Sequence, residues 1–331
     1  MLEVSTSAWS RRRWIGALLT LAAVQAGRNA WADNYPSRSI RFIVPFTPGA
    51  GADTTARIFA QKLGAELGQT VVVENRGGAS GTIGTELAAK AAPDGYTWVL
   101  GHDPAFTINP HLRKMPYDAL KDFAPVSQLT KVPLALVANP DLPAASLKAL
   151  IEMARKEPGK LTISSSGNGT SGHLAAEVFM SSAGIKLHHV PYRGQAEALT
   201  DVIAGRMDLN FSAIANIVPL VKSGKVRVLA IGAPKRFPGL PDVPTVAELG
   251  YPGFDVSAWH GVLMPAGSPA AVVNRVNDAI STVLRMPDVS SRLEALGLEP
   301  VGGAPSVLAR LLESDSARWG KVIRDAGIRA D

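Results

Sequence analysis

The fold is decided by residues 40–53, Ile40-Arg41-Phe42-Ile43-Val44-Pro45-Phe46-Thr47-Pro48-Gly49-Ala50-Gly51-Ala52-Asp53. Ile40–Pro45 is a short apolar, β-branched run, the pattern of a strand buried on both faces. Glycine and proline follow. Asp53–Leu67 then places Ala56, Phe59, Ala60, Leu63 and Leu67 on one helical face. Strand, glycine loop and amphipathic helix in that order open a parallel α/β unit.

Working outward, Thr70–Glu74 reads as a second strand. Thr82–Ala91 reads as a helix stopped by Pro93-Asp94-Gly95, and Thr97–Gly101 as a third strand. This βαβαβ order implies a parallel sheet with helices on its faces. The alternation then starts again. Pro133–Ala138, Leu161–Ser165, His188–Val190, Met207–Phe211 and Val226–Ile231 are strand-like. Helices are expected at Leu147–Ala154, Gly172–Ala183, Gln195–Ala204 and Asn216–Ser223 between them. A Pro- and Gly-rich passage from Phe237 to Gly253 holds one short helix at Thr245–Gly250, followed by a strand at Val256–Met264. Helices at Ala270–Leu284, Val289–Leu296 and Ser306–Ala326 close the chain. They have no strands of their own to cover, so they are expected to pack on the first sheet. The chain would cross between two lobes near 131–138 and return near 256–264, and two extended crossings make a hinge. The expected division is 33–132 for the first part of lobe one, 133–255 for lobe two, and 256–331 for the return to lobe one.

The first 32 residues stand apart. Ser10-Arg11-Arg12-Arg13-Trp14-Ile15 is a charged region, Gly16–Ala26 is apolar, and Ala30-Trp31-Ala32 has the form of a cleavage site. That three-part order reads as a signal peptide, cleaved near Ala32. The arginine pattern fits a twin-arginine signal, and an ordinary secretory signal fits as well. The chain carries a net charge of +6, and Arg11, Arg12, Arg13 and Arg28 against Glu3 supply half of it. The remaining 30 basic and 27 acidic residues are balanced, which argues against a nucleic-acid partner. There is no cysteine, hence no disulfide framework and no thiolate metal site.

Three glycine-rich loops are the candidate binding elements. They are Phe46 to Asp53, Arg76 to Gly81, and Ser164 to Gly172, each placed between a strand and a helix. Ligands of open parallel sheets sit at the carboxyl ends of strands, where helix N-termini present free N–H groups and partial positive charge. Loops one and three occupy matching places in the two lobes, and together they would clamp an anion from both sides. The ligand-binding candidates are Phe46, Thr47, Gly49, Ala50, Gly51, Ala52 and Asp53 in loop one, and Ser165, Ser166, Gly167, Thr170 and Ser171 in loop three. Ala105, Tyr192, Arg193 and Ser212 join them because they follow strand ends. Asp53 reads first as a helix N-cap and second as a ligand contact.

Loop three also matches G-x-G-x-x-G, but the following strand ends in His189-Val190-Pro191-Tyr192-Arg193 without the acid a dinucleotide ribose needs. No G-x-S-x-G elbow, Walker sequence or metal-ligand spacing is present, so no catalytic residue, metal or cofactor is expected. His188 and His189 are strand neighbours and face opposite sides. His173 is expected to serve the first turn of its helix, and Trp259 to serve packing.

Tyr35-Pro36, Ile40 to Phe46, Pro48-Gly49 and Asp53 before Ala56-Arg57 resemble the opening of the tripartite tricarboxylate transporter substrate-binding proteins, the Bug family. Glu74-Asn75-Arg76, Pro93-Asp94-Gly95-Tyr96-Thr97, Ile108-Asn109-Pro110, Gly172-His173-Leu174, Val190 to Gly194 and Pro241 to Glu248 extend the resemblance in order along the chain. It implies a two-lobe, type II-like periplasmic binding fold, each lobe a mostly parallel sheet flanked by helices. It implies a small carboxylate ligand (a di- or tricarboxylate, amino acid or aromatic acid) held by loops one and three. It also implies a monomeric receptor that serves a two-subunit inner-membrane permease. Two positions depart from the family pattern: Ala50 where a second glycine is usual, and Ser80 where glycine is common. A periplasmic enzyme using the same cleft and a receptor for a membrane sensor kinase are the alternatives.

Overall fold

The computed structural model describes residues 35–49 and 51–329. The expected signal peptide and cleavage site, and Ala50, lie outside the described residues.

The chain begins with strand β1 (Ile40–Val44), helix α1 (Gly51–Leu67), β2 (Val71–Asn75), α2 (Thr82–Ala89) and β3 (Thr97–His102). β1 pairs in parallel with β2 on one side and β3 on the other. Alternate residues of β1 enter different cores: Phe42 and Val44 pack with Phe59 and Leu63 of α1, and Ile43 packs with Val99 and Trp259. A π-helical turn, Pro104–Ile108, and a short 3-10 turn, Asn109–His111, follow β3.

Next comes β4 (Phe123–Val132), a strand that no periodicity in the sequence marks. Ser127, Gln128 and Thr130 are buried polar residues inside it, so the strand shows neither alternation nor an apolar run. Its polar groups are satisfied at a distance: Ser127 Oγ donates to Gly303 O, and Thr130 Oγ1 lies 3.3 Å from His260 Nδ1.

Only Pro133 separates β4 from β5 (Leu134–Ala138), the first strand of the second sheet. That sheet continues through α3 (Leu147–Lys156), β6 (Thr162–Ser165), α4 (Ser171–Ala183), β7 (His188–Pro191), α5 (Gln195–Ile203), β8 (Leu209–Ala213), α6 (Ile214–Lys222) and β9 (Arg227–Ile231). Its order is β7-β6-β8-β5-β9. β7, β6 and β8 are parallel, and β5 runs against both β8 and β9. The expected short helix at 245–250 is a set of turns instead. Thr245 and Glu248 exchange the reciprocal bonds of a capping box, but Gly250 at φ 107° and Pro252 stop propagation.

The chain returns in β10 (Ala258–Pro265), fully buried between β3 and β4 and antiparallel to both. α7 (Ala270–Leu284) and α8 (Pro287–Ala295) follow, then a two-residue strand β11 (Glu299–Pro300) on β4, and α9 (Pro305–Asp325). The first sheet therefore runs β11-β4-β10-β3-β1-β2. The two crossings lie side by side: Val132 pairs with Ala258, and Lys131 Nζ lies 3.0 Å from Asp255 Oδ2.

Val272, Val276, Ile280 and Val283 of α7 bury against the β1 face with Phe42 and Phe59. α9 departs from the expectation that the tail serves lobe one alone. Leu308 and Leu312 pack with Phe106 and Trp259, whereas Trp319 and Ile323 pack with Leu174 and Phe179 of the second sheet's layer. The 21 residues extend about 30 Å at 1.5 Å each, long enough to reach from one core to the other. Among the described residues no helix is long and apolar enough to cross a membrane.

Candidate functional site

Loop one is held from beneath by Asp53, which is 3% exposed. The expected N-cap role is replaced by a different one, because α1 already starts at Gly51. The Asp53 carboxylate accepts from the Gly49 amide at 2.9 Å, from Asn75 Nδ2 at 2.9 Å and from Arg57 Nε at 3.0 Å. Asn75 Nδ2 also reaches Phe46 O at 3.2 Å. The acid thus fixes the loop that leaves Thr47, Gly49 and Gly51 exposed at the head of α1, while Ala52 packs in the core. Burial works to raise the Asp53 pKa, but hydrogen bonds from Arg57, Gly49 and Asn75 outweigh it, and the net direction is down.

Loop two contains Ala79 and Ser80 in the left-handed region, at φ 48° and 52°. An L-residue there costs about 1–2 kcal/mol, which glycine would avoid. Ser80→Gly is expected to stabilise the protein by about 1 kcal/mol, less the backbone entropy glycine adds to the unfolded chain. Thermal unfolding measures this, and a neutral or lower midpoint would contradict the strain.

Loop three is wired internally. Ser165 Oγ accepts from the Gly167 amide and lies 2.7 Å from His189 Nε2. Thr170 Oγ1 donates to Gly167 O at 2.7 Å, and the Gly169 amide donates to His173 Nδ1 at 3.2 Å. The hydroxyls of Ser165 and Thr170 therefore build the loop, and Ser166, Gly167 and Ser171 are its half-buried surface. Gly169, at φ 71°, passes so close to the first sheet's side that a Cβ would lie 2.7 Å from Leu112 Cδ1 and 2.8 Å from Asn109 Oδ1. Only glycine allows that approach.

The three loops converge on the carboxyl end of β3. The His102 ring lies under loop one, 4.5 Å from the Phe46 ring, and a Cβ on Gly81 of loop two would come within 2.3 Å of its Nε2. Both ring nitrogens are buried without a hydrogen-bond partner, and burial, with His260 beside it, pushes its pKa down to about 3. The imidazole is neutral across the physiological range. The next residue, Asp103, is buried beside Ser171 at the head of α4, which places it next to loop three. Burial and the neighbouring Asp315 push the Asp103 pKa up to about 7, against the pull of Ser171 and Arg318.

The remaining sequence candidates fall in different places. Ala105 sits in the π-helical turn, which directs its methyl into the core with Phe106. Its carbonyl accepts from Tyr117 Oη at 2.9 Å. His102 and Asp103, rather than Ala105, face the loops. Their strand-end position was the available signal. The Tyr192 hydroxyl is taken by Asp201. Ser212, 1% exposed, accepts from Gln195 Nε2 at 3.0 Å, within a buried ladder of Ser164, Asn210 and Gln195. Arg193 is exposed at the turn after β7. Trp259 packs 6.2 Å from Phe106 and donates its Nε1–H to Asp315.

This arrangement has two sheets, two adjacent crossings and loops that present helix N-termini at one junction. It is suited to holding a small anion through main-chain donors. Comparison with known proteins gives the family. The family model described as tripartite tricarboxylate transporter family receptor matches residues 55–328. The protein BugT of Bordetella pertussis is 36% identical over 95% of this chain and 97% of its own. Among solved structures, Rpa4515 of R. palustris with adipate superposes with a TM-score of 0.83 at 37% identity, covering 89% of this chain and 99% of that one. MatC of Rhodopseudomonas palustris with bound malate superposes at 0.78 with 34% identity, covering 87% and 100%. The mixed two-sheet architecture is that of two-lobe periplasmic binding proteins, and the chain belongs to the tripartite tricarboxylate transporter receptor family, the Bug proteins.

Proposed function

We propose that this protein is a periplasmic receptor that captures a small carboxylate, a dicarboxylate foremost, at the junction of its three glycine loops. It delivers the ligand unaltered to a two-subunit membrane permease. In this reading residues 33–132 and 256–331 form one lobe, residues 133–255 form the other, and the receptor acts as a monomer after cleavage near Ala32. The observation that carries the reading is the convergence of loops one, two and three on His102 and Asp103 at the end of β3. The malate and adipate held by the similar MatC and Rpa4515 support the choice of ligand class. Phe46, Thr47, Gly49 and Gly51 would approach the ligand from one side, and Ser166, Gly167 and Ser171 from the other.

A thermal-shift panel of mono-, di- and tricarboxylates with their amides tests this. A ligand at 100 times its Kd adds about 2.7 kcal/mol, which raises the midpoint by roughly 5–10 °C. The expected result is a shift with at least one dicarboxylate that its diamide does not give. Absence of a shift with every carboxylate, or turnover of the bound acid, would overturn the proposal.

A further inference from the structure

Two histidines lie directly beneath loop three and take no part in the reading above. His173, on the first turn of α4, is 5% exposed, and its ring stacks on that of His189 with centroids 4.0 Å apart and planes 5° apart. Nδ1 of His173 accepts the Gly169 amide, and Nε2 lies 3.6 Å from Glu177 Oε1 one turn along the same helix. An imidazole nitrogen that accepts carries no proton, so the ring is neutral with its proton on Nε2, toward Glu177. His189 in turn lies 2.7 Å from Ser165 Oγ, which receives the Gly167 amide. Both glycine amides of the loop are thus oriented by side chains that the stacked pair holds in place.

We propose that His173 is a positioning residue for carboxylate capture: its unprotonated Nδ1 sets the conformation of loop three, and its protonation releases that loop. The inference rests on the receptor reading. When Nδ1 gains a proton it turns from acceptor to donor and faces the Gly169 N–H head-on, so the bond is lost and the loop must move. The imidazolium gains one favourable neighbour, Glu177, on its own helix. From β7 it meets the His189 ring face to face, where a second positive charge is opposed. Affinity therefore falls as pH falls, and the receptor releases its ligand in acid.

The test compares wild type, His173→Asn and His173→Ala by calorimetric titration with malate and adipate at pH 7.5 and 5.0. Asparagine Oδ1 can occupy the place of Nδ1 as an acceptor but does not titrate in this range. Wild type is expected to lose about tenfold in affinity between pH 7.5 and pH 5.0. The His173→Asn variant should keep affinity within a few-fold of wild type at pH 7.5 and should fall less than wild type toward pH 5.0, the dependence that remains being that of Asp103 and of the acids themselves. The His173→Ala variant should bind about tenfold or more weakly at both pH values, the loss of one oriented donor. A purely structural role would make both variants weak and leave the pH profile of whatever binding remains unchanged, and that result overturns the proposal. A second readout needs no ligand: the Gly169 amide resonance should titrate in the free wild type and stay still in the His173→Asn variant. Invariance in the wild type would overturn the wiring itself. If neither acid binds, the choice of these two ligands falls, and the Gly169 titration still decides whether His173 switches the loop.

Discussion

Asp315→Ala lowers the thermal midpoint by about 10 °C, and Asp315→Asn by roughly half as much. The Asp315 Oδ2 atom accepts from Thr107 Oγ1 at 3.0 Å, Trp259 Nε1 at 3.1 Å and Trp319 Nε1 at 3.1 Å, and its other oxygen lies 3.5 Å from Arg318 Nη2. One carboxylate on α9 thus ties together the turn after β3, the returning strand β10, and the half of α9 that packs on the second sheet. Hydrogen bonds to a charged acceptor contribute about 1.5–3 kcal/mol each, and a buried donor left alone costs a further desolvation penalty. Loss of three at once, with incomplete additivity, amounts to about 4 kcal/mol, or about 10 °C at 2–4 °C per kcal/mol. Asparagine retains an acceptor oxygen but turns its amide toward Arg318. Circular dichroism melts measure both variants. Midpoints within about 2 °C of wild type for both would mean that this junction does not depend on the acid.

Asp103→Asn removes a loss of stability that wild type suffers as pH rises. The folded Asp103 has a pKa of about 7 against an ordinary 3.8, chiefly because it is buried and faces Asp315. A carboxyl whose folded pKa lies above its unfolded value holds its proton more tightly when folded. Its contribution is therefore full below about pH 4 and declines until about pH 7. About three units correspond to at most about 4 kcal/mol. Other carboxylates act in the opposite sense: Glu74, held down to about 2 chiefly by the hydrogen bond from Arg41, favours the fold as pH rises above that value. The informative quantity is therefore the difference between wild type and the Asp103→Asn variant in urea unfolding from pH 4 to 8. That difference should grow in favour of the variant as pH rises. A constant difference would show that Asp103 ionises normally in the fold.

Much of the architecture was legible because period and punctuation agree with burial. In α1, Ala56, Phe59, Ala60, Leu63 and Leu67 are all buried, and Gly184, at positive φ, closes α4. β4 was illegible because Ser127, Gln128 and Thr130 are buried polar residues whose neighbours include Gly303 and His260, more than 100 residues away in sequence. The split allegiance of α9 was hidden for a related reason: its apolar positions mark one stripe but do not say that two cores share it. At the site, the glycine loops are visible in sequence because strand, loop and helix are contiguous. The roles of His102 and Asp103 are not, since they arise where three separate loops meet. The local position of Asp53 suggests a cap, whereas its partners Gly49, Asn75 and Arg57 come from both sides of the loop.

The most direct test of the central claim is a crystal structure of the protein with the dicarboxylate that gives the largest thermal shift. The account predicts the ligand at the end of β3, its carboxylates on main-chain N–H groups of residues 46–53 and 165–171. It predicts His102 and Asp103 beneath the ligand. A different cavity of about 390 Å³ is lined by Val178, Tyr251, Phe254 and Arg318. Density there, with the junction of the loops unchanged, would contradict the account.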